Sequence, residues 1–94
     1  MNAIELLRKN EYEIKKKFGV TKIGIFGSFA RGEEKKGSDI DVLVEFQENY
    51  KTFDNYMDLK FLLEDLFGRK IDLVTIDALR PQLKDGILQE VIYA

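Results

Sequence analysis

The 94-residue chain has no cysteine, no histidine and no tryptophan, and only one proline. Each absence removes some chemistry. Without cysteine there are no disulfides and no thiol nucleophile. Without histidine there is no Ser-His-Asp triad, and without either there is no zinc finger. Any metal must therefore be held by oxygen ligands, which points to a hard cation such as magnesium or manganese. No apolar run approaches the ~20 residues of a membrane span, and the N-terminus lacks the apolar stretch of a signal peptide. A cytoplasmic protein without membrane association is expected. The formal charge of -2 argues against stable nucleic-acid binding, because neutralising phosphates takes an excess of Lys and Arg.

What remains is an ordinary globular composition, 45% hydrophobic and 34% charged, expected to form one domain over residues 1–94 with a single core. From Ala3 to Phe18 the apolar positions Ile4, Leu7, Ile14 and Phe18 recur at helical spacing, with Asn2 placed to cap and Gly19 to terminate. Thr21 to Phe26 reads as a strand, broken by Gly27-Ser28. A short helix from Phe29 to Glu34, with Ser28 at its N-cap, is followed by a polar loop through Lys35, Lys36 and Gly37. Ile40 to Phe46 is the second predicted strand. A helix from Phe53 to Phe67 follows, and then a third strand from Ile71 to Ile76.

Pro81 suits the first turn of a last helix, whose apolar face would be Ile87, Leu88, Val91 and Ile92. The predicted architecture is a small α/β (α+β) fold, a mixed three-stranded sheet with helices packed on one face. The long crossover between the second and third strands suits parallel neighbours; the direction of the second against the first stays open.

Two aspartates interrupt this regular pattern. Asp39 and Asp41 stand at the entrance of the second strand, where branched apolar residues are expected. Alternation along a strand turns both to one side, with Ile40, Val42 and Val44 opposite. Two carboxylates about 6–7 Å apart can converge on a divalent cation and would otherwise repel each other. Asp72 opens the third strand, and if the two strands are neighbours it can join them. Three carboxylates on one edge suit two-metal phosphoryl chemistry. On the other side, Gly27 allows close backbone approach to a ligand, the Ser28 hydroxyl can add a hydrogen bond, and the following helix start presents free N–H groups. Arg31 can neutralise phosphate charge or pair with Glu33 or Glu34.

Gly27-Ser28, ten residues, then Asp39-Ile40-Asp41 resembles the Gly-Ser-x10-Asp-x-Asp signature of the DNA polymerase β-like nucleotidyltransferases. The run "GSFARGEEKKGSDIDVLV" is similar to the minimal nucleotidyltransferase (MNT) subgroup, many of whose members are antitoxins of HEPN–MNT toxin–antitoxin pairs. The resemblance implies ATP bound at Gly27 and Ser28, and Mg²⁺ held by Asp39 and Asp41, with two ions expected and Mn²⁺ able to substitute. It makes Asp72 a ligand or the base that takes the acceptor's proton. It also implies transfer of AMP to a hydroxyl, a tyrosine's, of a HEPN ribonuclease toxin. Self-association is left open. Two other functions fit the same residues: an antitoxin that acts by binding alone, and a small-molecule adenylyltransferase, disfavoured because the chain lacks an acceptor domain. The motif "GIFGSFARG" is neither a Walker A loop nor a dinucleotide-binding fingerprint.

Overall fold

The Asn2 side chain accepts a hydrogen bond from the Glu5 N–H at 2.9 Å and so caps helix α1, Ala3–Phe18. The structure, a computed structural model, describes residues 2–94. Strand β1 (Val20–Phe26) follows, then the single-turn helix α2 (Ser28–Arg31) and strand β2 (Ile40–Phe46). Helix α3 (Phe53–Phe67) is capped by the Thr52 side chain and leads to strand β3 (Ile71–Thr75). Helix α4 (Pro81–Glu90) and the two-residue strand β4 (Ile92–Tyr93) complete the order.

The four strands lie in the order β3-β2-β1-β4. β1 runs antiparallel to β2, and β2 runs parallel to β3 as the long crossover through α3 predicts. The expected three-stranded sheet gains its fourth strand from residues assigned by periodicity to the last helix. α4 stops at Glu90, and Ile92 and Tyr93 pair with Ile25 and Gly24 on the outer edge of β1. An edge strand has unpaired backbone groups to satisfy, and the β-branched and aromatic run Val91-Ile92-Tyr93 suits that role better than another helical turn. Gly24 makes the approach possible: a Cβ there would lie 2.8 Å from the Val91 side chain and 2.7 Å from the Ile92 carbonyl.

The core lies between one sheet face and helices α1 and α3. Ile40, Val42, Val44 and Phe46 of β2 pack there with Ile23, Ile25, Ile71 and Leu73, against Leu7, Ile14, Phe18, Leu59 and Leu63. Burying each such side chain contributes about 1.5–3 kcal/mol. The other face is covered as well, because Leu43, which points away from that core, is fully buried. β3 and β4 occupy opposite edges, so the chain between them must cross the sheet. It does so on the Leu43 side, where Val91 reaches Gly24, the residue paired with Leu43. α4 itself buries no residue, so the helices packed on the core, α1 and α3, lie on one face as expected.

Candidate active site

The two carboxylate-bearing strands meet in register. In the parallel β2–β3 ladder Asp41 stands directly beside Asp72, just as Ile40 stands beside Ile71 and Val42 beside Leu73. Equivalent positions in a parallel pair face the same side. Asp41 and Asp72 therefore share the face that carries Leu43 and point away from the apolar core. Asp39 precedes the first residue of β2 and is exposed. Its charge acts on Asp41 together with that of Asp72.

Asp41 is strongly perturbed. Its pKa is raised from 3.8 to about 6, first by burial, then by Asp72, and then by Asp39 and Glu90. Among the described residues no Lys or Arg forms an ion pair with Asp39, Asp41 or Asp72. Nor, among the described residues, does any group of three or more acidic side chains stand close enough together to hold a metal ion. A half-buried carboxylate surrounded by like charge and no cation fits a hard divalent ion, and oxygen ligands are the only donors this set offers. Asp39, Asp41 and Asp72 are the residues that would hold it.

The Gly-Ser turn abuts this cluster. Phe26, the last residue of β1, pairs with Asp41, so the chain turns at Gly27 directly over that carboxylate. Gly27 adopts φ 73°, ψ -150°, a conformation open essentially to glycine alone. A Cβ there would fall 2.1 Å from Asp41 Oδ2. The backbone of the turn and the carboxylate thus lie against each other with no space for a side chain. Gly27, not Ser28, occupies the cap position of α2, and Ser28 is its first residue. The helix ends at Arg31 instead of Glu34, because Gly32 takes a left-handed conformation and its N–H returns to the Ser28 carbonyl. The first-turn N–H groups of Ser28, Phe29 and Ala30 have no carbonyl four residues back within so short a helix.

Arg31 makes the pair with Glu33 that was one of its two expected roles, with Nε 2.6 Å from Glu33 Oε1. It also donates through Nη1 to Glu90 at the end of α4, 59 residues away. Glu34 takes no part in these ion pairs. Sequence reasoning missed Glu90. A signal was present: Glu90 interrupts the apolar run of "ILQEVIY" as Asp41 interrupts that of β2. Tyr56 was also missed. Its hydroxyl donates to the Leu73 carbonyl on the outer edge of β3, and burial and the Asp72 charge both raise its pKa.

The sequence model of the nucleotidyltransferase domain matches residues 7–94. The chain belongs to that family. Protein adenylyltransferase MntA of Thermococcus cleftensis is 39% identical over 88 residues, which cover 94% of this chain and 88% of the relative. A solved structure provisionally described as a minimal nucleotidyltransferase superposes with a TM-score of 0.80 at 36% identity, covering 98% of this chain and 95% of that one. An MNT antitoxin solved in complex with a tri-AMPylated Shewanella oneidensis HEPN toxin gives a TM-score of 0.67 at 16% identity, a likeness of fold. That match covers 95% of this chain and 69% of the other. The mixed α/β architecture is that of a nucleotidyltransferase core. No helix among the described residues is long and apolar enough to cross a membrane.

Proposed function

We propose that this chain is a magnesium-dependent protein adenylyltransferase, which transfers AMP from ATP to a tyrosine hydroxyl of a cognate HEPN ribonuclease toxin and thereby acts as its antitoxin. The observation that carries this reading is the in-register Asp41–Asp72 pair lying against the Gly27 turn. It sets a cation-seeking cluster directly against a backbone bend that admits no side chain. Similarity to protein adenylyltransferase MntA, and a fold shared with an MNT antitoxin bound to a modified HEPN toxin, supply the acceptor class.

In this reading the backbone of Gly27 and Ser28, with the Ser28 hydroxyl, grips the triphosphate and aims its α-phosphorus at the carboxylate row. Asp39 and Asp41 hold divalent ions that, when bound, neutralise phosphate charge and acidify the attacking hydroxyl; manganese can replace magnesium. The acceptor oxygen bonds to the α-phosphorus, the bond to the bridging oxygen breaks, and pyrophosphate leaves with that electron pair. Asp72 completes the ligand set or takes the acceptor's proton, a role supported by its register position beside Asp41. Catalysis is then positioning and charge neutralisation, with no covalent enzyme intermediate. The ATP is that of the cytoplasm.

The test is to incubate the purified protein with Mg²⁺, ATP and a HEPN-type toxin, the first candidate being any such protein found encoded beside its gene. Intact-mass spectrometry should show the toxin heavier by one or more adenylyl groups, mapped by fragmentation to tyrosine. An unchanged toxin mass, in conditions where an established pair reacts, sinks the proposal.

A further inference from the structure

Arg31 follows the Gly27–Ser28 turn by a single helical turn, and its own N–H bonds to the Gly27 carbonyl at 3.1 Å. Its side chain is half exposed. A long charged side chain in that position ordinarily samples many rotamers, and ordering it costs free energy when a ligand arrives. Here two carboxylates hold it. Glu33 is the weaker anchor, being 64% exposed and two residues along the same loop. Glu90 is the firmer one. It is 24% exposed and sits at the end of α4, two residues before Ile92 pairs with Ile25 of β1. The strand that ends in the Gly27 turn is thus the strand on which the Glu90 segment is anchored. Nε and Nη1 use two of the five guanidinium donors, so three stay free for an incoming anion.

We propose that Glu90 is a positioning residue of the nucleotide site: it holds the Arg31 guanidinium beside the Gly27–Ser28 turn, ready to receive a phosphate oxygen. The α4–β4 segment then becomes a working part of the site rather than only an edge cover. This rests on the reading of that turn as the triphosphate cradle. As a stabilising contact a surface pair contributes little, so the effect of Glu90 belongs in nucleotide affinity and not in the melting temperature.

The test compares wild type, Glu90→Gln, Glu90→Asp, Arg31→Ala and the Arg31→Ala/Glu90→Gln double variant, by calorimetric titration with Mn²⁺-ATP and by steady-state adenylyl transfer. Glu90→Gln should weaken ATP binding and raise its KM about tenfold, the equivalent of one charge-assisted hydrogen bond. Its kcat and melting temperature should stay near those of wild type, and Glu90→Asp should recover part of the loss. In the Arg31→Ala background Glu90→Gln should add nothing further. Unchanged ATP affinity in Glu90→Gln overturns the inference, as does tighter binding, which would make Glu90 a competitor for the guanidinium. So does a loss that adds in full to that of Arg31→Ala. Absence of ATP uptake by wild type overturns the triphosphate reading and this inference with it; uptake by wild type that Glu90→Gln matches overturns this inference alone.

Discussion

At Asp41 the folded chain binds a proton more tightly than the unfolded chain does, since burial and then Asp72 lift the pKa from 3.8 to about 6. The sign of the linkage follows directly. As pH rises from about 4 to about 6, the unfolded state releases its proton first, so metal-free stability falls and stays lower above that window. Removing the charge should reverse this. Asp41→Asn is expected to melt a few degrees higher than wild type near neutral pH without divalent ions, about 1 kcal/mol after allowing for solvent screening at this part-exposed site. The two proteins should converge at the acid end of the window, which scanning calorimetry against pH will show. The same substitution should lower adenylyl transfer by about 100-fold or more, because a lost ion ligand removes several kcal/mol of transition-state stabilisation. If Asp41→Asn still silences the toxin as well as wild type does, binding alone suffices and catalysis is not the antitoxin mechanism.

Individual elements differ in how plainly the residues announced them. α1 and α3 run over the predicted spans Ala3–Phe18 and Phe53–Phe67, because each carries a long apolar stripe between a capping side chain and a glycine. β2 and β3 were equally plain as apolar runs. Their aspartates stood out as well, since a carboxylate inside an apolar run has no packing reason to be there. β4 was hidden for the opposite reason. Two residues are too few to show alternation, and their pairing with β1 depends on a tertiary approach that only Gly24 makes possible. The ends of α2 depend on the backbone conformations of Gly27 and Gly32, which composition does not reveal. Glu90 became visible only when α4 carried it back to Arg31.

β3 makes a prediction at this scale. It pairs with β2 on one side only, and Tyr56 satisfies the Leu73 carbonyl on the other. Tyr56→Phe should cost about 1 kcal/mol, read as a lower urea midpoint, with faster amide exchange along β3 than along β2. Transfer activity should persist, since Asp72 keeps its place in the ladder.

For the molecule as a whole, the acidic row and the Gly27–Ser28 turn are joined through one sheet, so ligand occupancy and global stability are coupled. A cation that binds only the folded chain raises its melting temperature by mass action. Mn²⁺ with a non-hydrolysable ATP analogue should therefore stabilise wild type near neutral pH. The increment should shrink as pH falls below about 6, where Asp41 gains its proton, and should nearly vanish in Asp41→Asn. A melting series over pH with and without the ions checks this. An increment that is the same in both proteins would place the ions elsewhere.

The lateral alignment of Asp41 with Asp72 has one more consequence. A slip of one position between those strands would swing Asp72 into the hydrocarbon interior and expel Ile71 and Leu73 to water. Each of those exchanges is expensive, so the burial of Ile71 and Leu73 guards the alignment against a slip of one position. The packing that completes the interior therefore also keeps Asp72 on the side of the sheet that carries Asp41.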